Sequence, residues 1–572
     1  MKGLKARYLA LIGVFALVVA ACGQTAEPAE TTAEAPAAAP TTAAPAPTPA
    51  PTEGAEETVL IIGTTDAISS LDGSDAYAVH DWELLKNVGE GLLIWEPGTG
   101  DKLMPGAAED FGTFSDDGLS YTIKLKEGLV FGDGTPLTAQ AYADQINTRL
   151  LVLEGSGGVG PALGQPYVES VEALDDLTIK FNLTDTWGFF EQLLAGAPYI
   201  PLNPTQFPTG AGAELVEFPD PPIYGNGPYY IESYTIGEQT VLKANPLYQG
   251  VRTPNVDTVI IRYFGSPQAM AEAVQSGEID VAWRILGPEL LDQVEAAGLN
   301  VQTISGGAIR YLIVNHAEGF PGADPNVAKA LATLIDRDDL SDRVFGGRVE
   351  PLYSQVPPGF LGATEVFDTM YGAPDVDAAL ALLAAAGYTP DSPLQLELWY
   401  PPEHYGGTVA DAMQVLEEQL ETGGAIEVEL KAQEWSTYVG AVIGGADYPV
   451  SLLGWFYDYP DPDNYISPFV QNGGLGTMVT DPDTGAGINA KAQELVDKLA
   501  QAASSGDQAE REALYREIQE IYADLVVTIP LWFEAEHVVY RDGISGDTAF
   551  GEADKLNIGP TIEFNYATVN KG

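Results

Sequence analysis

The chain runs to 572 residues, 45% of them hydrophobic, with 26 basic against 82 acidic side chains and a formal net charge of −56. A surface that negative repels nucleic acid and anionic lipid headgroups, which excludes a nucleic-acid function and direct membrane-surface binding. It attracts cationic or zwitterionic solutes, although salt screens the field beyond about 10 Å, and it also keeps a protein soluble in brine.

In chain order, residues 1–21 read as a secretory signal. Lys2, Lys5 and Arg7 precede an apolar stretch, 8–20, interrupted only by Gly13. That stretch falls short of the roughly 20 apolar residues a membrane span needs. Val19-Ala20-Ala21-Cys22 follows and resembles a bacterial lipobox. Small residues fit a signal-peptidase cleft, and the thiol of Cys22 is the expected site of lipidation. Cys22 is the only cysteine, so no internal disulfide, zinc knuckle or CxxC redox pair is possible. Residues 23–57 hold no aromatic residue, Leu, Ile or Val. Such a segment cannot bury enough apolar surface to offset its ordering entropy. Its prolines stiffen it toward polyproline II, giving a tether with a reach on the order of 100 Å. The expected location is extracytoplasmic, lipid-anchored to the outer face of the cell membrane or periplasmic. The lipid is then the only membrane contact.

From residue 58 onward strands and helices alternate. The run 59–62 predicts a buried strand, and the period-two patterns at 121–125 and 178–183 predict half-buried ones. Thr138 is placed to cap a helix that carries Tyr142, Ile146, Leu150 and Leu153 on one face. A strand at 257–263 is followed by Ser266-Pro267, an N-cap and N1 proline, and by a helix over 268–276 that Gly277 stops. Asp324 and Asp375 open further helices, the second ending at Gly387. Helices are expected at 408–421, 490–502 and 509–525, and strands at 394–400 and 425–430. The chain is α/β, without a recurring repeat.

Several segments, taken together, resemble the bacterial extracellular solute-binding proteins of family 5, the dipeptide, oligopeptide and nickel class. Glu90-Gly91-Leu92-Leu93 is one. The stretch 121–139, with Lys126-Glu127-Gly128-Leu129-Val130-Phe131 and Asp133-Gly134-Thr135-Pro136, is the most characteristic. Lys126 stands where the family usually has Arg. Gly225-Asn226-Gly227-Pro228-Tyr229, Asn245-Pro246-Leu247-Tyr248, Gly277-Glu278-Ile279-Asp280 and Ile335-Asp336-Arg337 follow in the family's order. Gly454-Trp455-Phe456-Tyr457-Asp458-Tyr459 closes the set. The resemblance implies a bilobal periplasmic-binding-protein fold with two crossover hinge strands and an extra domain in the first lobe. It puts lobe I at 58–91, 199–262 and 529–572, the extra domain at 92–198 and lobe II at 263–528. The hinges would lie at 262–264 and 528–531, where a few backbone dihedrals can absorb closure.

The resemblance also assigns Asp458. In peptide-binding members the aspartate of this segment holds the ligand's α-ammonium, a strong charge-assisted bond in a closed cleft. The plainer reading makes Asp458 a turn cap, as Asp461 and Asp463 are expected to be. Trp455 and Tyr457 flank it, and Trp399, Tyr400, Trp435 and Trp283 are placed in the same lobe as candidate aromatic walls. Arg284, Arg310 and His404 are candidates to meet a ligand carboxylate. No catalytic motif is present: there is no GxSxG elbow, HExxH pair or GxxxxGK[ST] loop, and the glycine-rich 155–164 lacks the following Lys-Ser/Thr. His80, His316, His404 and His537 are scattered, and Asp458, Asp461 and Asp463 lack the spacing of a calcium loop. No metal, cofactor or catalytic residue is expected.

The function expected is that of a monomeric binding subunit of an ABC importer. It would capture oligopeptides or dipeptides between its lobes and deliver them to the permease and ATPase subunits. An oligosaccharide is the alternative guest, since tryptophans stack on sugar faces, and the few histidines disfavour nickel. From a different class, a carboxylate-dependent extracellular hydrolase needs only a carboxylate pair at the right spacing. A sensor presenting its closed form to a receptor is the third reading.

Overall fold

The computed structural model describes residues 57–572, apart from 100–101, 156–157, 285, 403, 444–447 and 560–562. Cys22, the signal segment and the tether lie outside the described residues. The strands begin with β1 (Val59–Thr64). A peripheral group follows: β2 (Leu93–Trp95), β3 (Leu103–Pro105), β4 (Thr113–Phe114), β5 (Ser120–Lys124), β6 (Val168–Ala173) and β7 (Thr178–Leu183). Next come β8 (Tyr229–Thr235), β9 (Gln239–Ala244), β10 (Thr258–Tyr263) and β11 (Val281–Trp283). The long β12 (Asn300–Val314) precedes β13 (Val349–Pro351), β14 (Leu394–Tyr400), β15 (Ile426–Ala432) and β16 (Val450–Trp455). A second long strand, β17 (Thr528–Tyr540), ends the series used here.

One 11-stranded sheet runs in the order β15-β14-β16-β12-β17-β11-β1-β10-β9-β8, with β13 on β17. A separate 4-stranded sheet has the order β4-β5-β7-β6. The predicted elements are present with shifts of a residue or two. β1 pairs parallel with β10 from Val59↔Thr258 to Thr64↔Tyr263, and Leu60 and Ile62 are wholly buried. Val59 and Ile61 alternate with them and are only half-buried, so the apolar run covers one face of β1 more fully than the other. β7 alternates too, with Ile179, Phe181 and Leu183 buried against the core of the peripheral group. Thr138 Oγ1 accepts the Ala141 N–H at 3.1 Å, and Ser266, Asp324 and Asp375 cap their helices in the same way. Gly277 ends the helix Pro267–Ser276 at φ 83°, a left-handed conformation that glycine adopts without strain.

The crossing between the two halves of the sheet differs from the expectation. After β10 the chain forms the helix Pro267–Ser276 and returns as β11, parallel to β1 on its other side. Residues 262–264 therefore end a strand on the β1 side, where a β-α-β unit is completed before anything crosses. The segment 263–299, assigned to lobe II by the resemblance, stays on that side, its helices packed with β11. The chain passes toward β16 along β12 and returns along β17. These two strands pair antiparallel from Asn300↔Tyr540 to Ile313↔Thr528. Midway, the register shifts between Ser305 and Ile309, so residues 306–308 bulge outward from the ladder. A Cβ at Gly307 would stand 2.1 Å from Tyr457, and Tyr465 donates to the Gly307 carbonyl at 2.7 Å. The bulge thus lets the loop after β16 press directly onto the crossing strand.

Candidate functional site

The helix Val79–Val88 places Val79, Trp82, Glu83 and Lys86 on one face, spaced by three and four residues. That face lines an open-sided pocket whose opposite wall is Phe456, Tyr457 and Asp458, just beyond β16. Trp95, Gln192 and Gly196 add to its wall from the peripheral group.

Asp458 is held by three hydrogen bonds to two side chains, Tyr77 and Asn464. Tyr77 donates its hydroxyl to Asp458 Oδ1 at 2.6 Å, and Asn464 Nδ2 donates to Oδ2 at 3.2 Å. Asn464 Oδ1 in turn accepts the Asp458 N–H at 2.8 Å and the Trp455 indole N–H at 3.1 Å. Asp458 makes no ion pair among the described residues. Burial raises its carboxyl to about 6, and the two side-chain hydrogen bonds, which favour the ionised form, do not offset that. The carboxylate faces the pocket and keeps some accessible surface.

Its neighbours in the loop are differently placed. Asp461 receives both Arg511 Nη atoms at 2.8 and 2.7 Å and caps the helix Pro462–Ile466. Asp463 accepts the hydroxyls of Ser467, Tyr459 and Tyr515. Both serve structure, as expected. Of the three aspartates, Asp458 alone opens on the cavity.

Glu83 is the hub of the opposite wall. Its Oε1 accepts Tyr566 Oη at 2.6 Å, and its Oε2 accepts Trp283 Nε1 at 2.8 Å together with Arg284 Nη2. Lys86 pairs with Glu563, both nearly buried. The motif search missed Tyr77, Glu83 and Lys86. The signal available was charge on a helix face that also carries Val79 and Trp82, a face that should otherwise be apolar.

The remaining predicted residues fall in separate groups. Arg310 pairs with Glu534 at 2.7 Å and lies 4.2 Å from the Tyr405 ring centre. His404 stacks on Trp435, centroids 3.5 Å apart, and burial plus the nearby Arg310 lower it to about 4, leaving the imidazole neutral at physiological pH. Trp399 stacks on Tyr448 and donates to Glu397, while Tyr400 packs at the edge of the second-half core. Trp455 packs edge-on to Phe469 and Tyr457 stacks with Phe456. Arg284 and Trp283 lie at the Glu83 end, on the β1 side of the sheet. Asp458 and Tyr457 share a cavity; Arg310, His404 and Trp435 form a second cluster. Among the described residues no group of three or more His, Cys, Asp or Glu side chains is disposed to hold a metal ion, and no helix is long and apolar enough to cross a membrane.

Residues 102–477 match the family described as bacterial extracellular solute-binding proteins, family 5 Middle. The chain belongs to this family. It is 25% identical over 463 residues to the oligopeptide-binding protein OppA of Bacillus subtilis, covering 76% of this chain and 80% of that one. It is 26% identical over 526 residues to the glutathione-binding protein GsiB of Escherichia coli, covering 87% and 94%. Among solved structures, the substrate-binding protein CtaP of Listeria monocytogenes superposes with a TM-score of 0.75 at 23% identity, covering 90% of this chain and all of that one. DppA of Helicobacter pylori, in complex with the peptide STSA, gives 0.71 at 21% identity, covering 90% and 98%. These likenesses establish the bilobal periplasmic-binding-protein fold. As a family 5 member the chain is an extracytoplasmic solute-binding protein that works in transport, and it is not an enzyme.

Proposed function

We propose that this protein captures short peptides with a free amino terminus, with Asp458 as the acceptor of the ammonium, and delivers them to an ABC permease and its ATPase. The observation that carries the reading is a carboxylate without a cationic partner among the described residues, set in the wall of a pocket between the helix Val79–Val88 and the loop after β16. An ionised carboxyl out of water is costly unless paired, so such a site favours an incoming cation. Names of relatives support the same guest class: OppA binds oligopeptides, GsiB glutathione, and DppA is complexed with a tetrapeptide. A neutral oligosaccharide would find aromatic faces in Trp82 and Trp95 but would leave Asp458 unmatched.

In this reading the two halves of the large sheet are the lobes, and β12 and β17 carry the hinge, with the bulge at 306–308 as the flexible point. Cys22 bears the lipid, residues 23–57 are the tether, and the protein acts as a monomer. The guest leaves chemically unchanged.

Calorimetry with a tripeptide and its N-acetylated form tests the assignment. The free amine is expected to bind and the acetylated peptide to lose most of its affinity. Asp458→Ala is expected to weaken the free tripeptide by about 2 kcal/mol or more, the usual cost of breaking a desolvated charge pair. Equal binding of both peptides, or an unaffected variant, refutes the role of Asp458.

A further inference from the structure

The peripheral group is tied to both halves of the molecule, and by different means. To the β1 side it is joined through a shared core and a buried charge pair. Ala76, Trp82 and Leu85 pack into its core, and Arg149 pairs with Asp72, both side chains fully buried. To the β16 side it is joined by one small contact. There residues 188–189 meet the loop after β16 and the end of the helix Ala490–Ser504, a helix whose Leu495 and Leu499 share a core with Leu453 and Tyr457.

At this contact Phe189 stacks on Tyr459, ring centres 4.8 Å apart and 15° from parallel, and both rings are buried. The Tyr167 and Tyr459 hydroxyls lie 3.3 Å apart, and Gln192 Nε2 donates to Asp461 Oδ2 at 3.3 Å. The Gly188 N–H donates to the Ala503 carbonyl at 2.8 Å. That carbonyl belongs to the last turn of its helix, where the helix itself supplies no donor. A Cβ at Gly188 would stand 2.1 Å from the Ser505 carbonyl oxygen and 3.2 Å from Arg511 Cδ, atoms of the β16 side. The glycine therefore permits the approach of one body to the other. Gly188, Phe189, Tyr459 and Ala503 stand outside the lining of the pocket, yet Tyr459 follows Asp458 directly.

We propose that this contact is a closure latch. The stack of Phe189 on Tyr459, with Gly188 seated against Ala503, draws the lobes together in the free protein and makes Tyr459 a positioning residue for Asp458. The proposal rests on the reading of the two sheet halves as lobes that close on a guest. A guest's apparent affinity scales with the closed fraction, so a contact that no guest touches strengthens binding by raising that fraction. The rings carry the latch, because parting the lobes returns both faces to water. The hydrogen bonds contribute less, since water replaces each lost partner.

Solution scattering and calorimetry with Ala-Ala-Ala, on the full-length chain, test it with Gly188→Ala as a wedge. Without peptide the variant is expected to show a larger radius of gyration than wild type. Its affinity should be about ten-fold weaker, mostly through faster dissociation. Its thermal midpoint without peptide should stay at the wild-type value, since the atoms crowded by the new methyl lie in the opposite lobe. Phe189→Ala, which removes a ring instead of adding bulk, should change radius and affinity in the same sense. Equal radii of the free proteins overturn the latch, whether or not peptide binds. A larger radius with unchanged affinity overturns its part in binding. A clearly lowered midpoint in Gly188→Ala assigns the contact to the static fold and overturns the latch as well. A wild-type chain that fails to bind Ala-Ala-Ala overturns the peptide reading, while the radii still decide the latch.

Discussion

Binding of an ammonium at Asp458 should depend on pH in a way the structure specifies. The Asp458 carboxyl sits at about 6, raised from 3.8 by burial against the lowering effect of Tyr77 and Asn464. Only the ionised form attracts the guest's ammonium, so the apparent dissociation constant is the intrinsic one divided by the ionised fraction. That fraction is about nine-tenths at pH 7 and about one-tenth at pH 5, which weakens binding by about ten-fold over the interval. The sign follows from the same shift: the bound ammonium holds Asp458 ionised, so binding at pH 6 releases about half a proton. Calorimetry of an alanine tripeptide across pH 5–7, in two buffers of different ionisation enthalpy, reads the affinity and the proton release together. Glu536, raised to about 7, titrates in the same range, so Glu536→Gln serves as the control and should keep the slope. Affinity that is flat or rises toward pH 5, or a slope that disappears in Glu536→Gln, refutes the assignment of the proton to Asp458.

Tyr77→Phe removes a hydrogen bond that favours the ionised carboxylate, so the midpoint of the pH dependence should move upward from about 6, as read in the same titration. An unmoved midpoint would mean the Tyr77 contact is absent in solution. Arg511→Met leaves Asp461 buried without its bidentate partner and should cost about 3–5 kcal/mol of stability, seen as a lowered thermal midpoint; a midpoint at the wild-type value argues against the pair.

Much of the fold was legible because local signals and packing agree. Ser266 with Pro267, Asp324 with Pro325 and Asp375 each announce a helix start through one short side chain and the next residues. The strands at 59–62 and 178–183 bury alternate residues alike, but the half-buried positions are apolar in the first (Val59, Ile61) and polar in the second (Lys180, Asn182). The place where the chain crosses between halves was not legible. Nothing local distinguishes β10, which stays on one side, from β12, which leaves it. The difference lies in which strands each one meets, and those partners are up to about 240 residues distant in the pairing Asn300↔Tyr540.

The site divides along the same line. Asp458 could be singled out because one short segment carries both the aspartate and its aromatic flank. Its partner Tyr77 lies 381 residues away, and Glu83 draws its three donors from β11, from the residue after it and from Tyr566. A carboxylate's role is set by which cations reach it, and the three aspartates of one loop show how little sequence spacing says about that. Asp461 and Asp458 are separated by two residues, yet a helix from a remote part of the chain brings Arg511 to the first and no cation to the second. Asp461 is thus already paired within the fold, and in the proposed reading Asp458 gains its cation only from a guest.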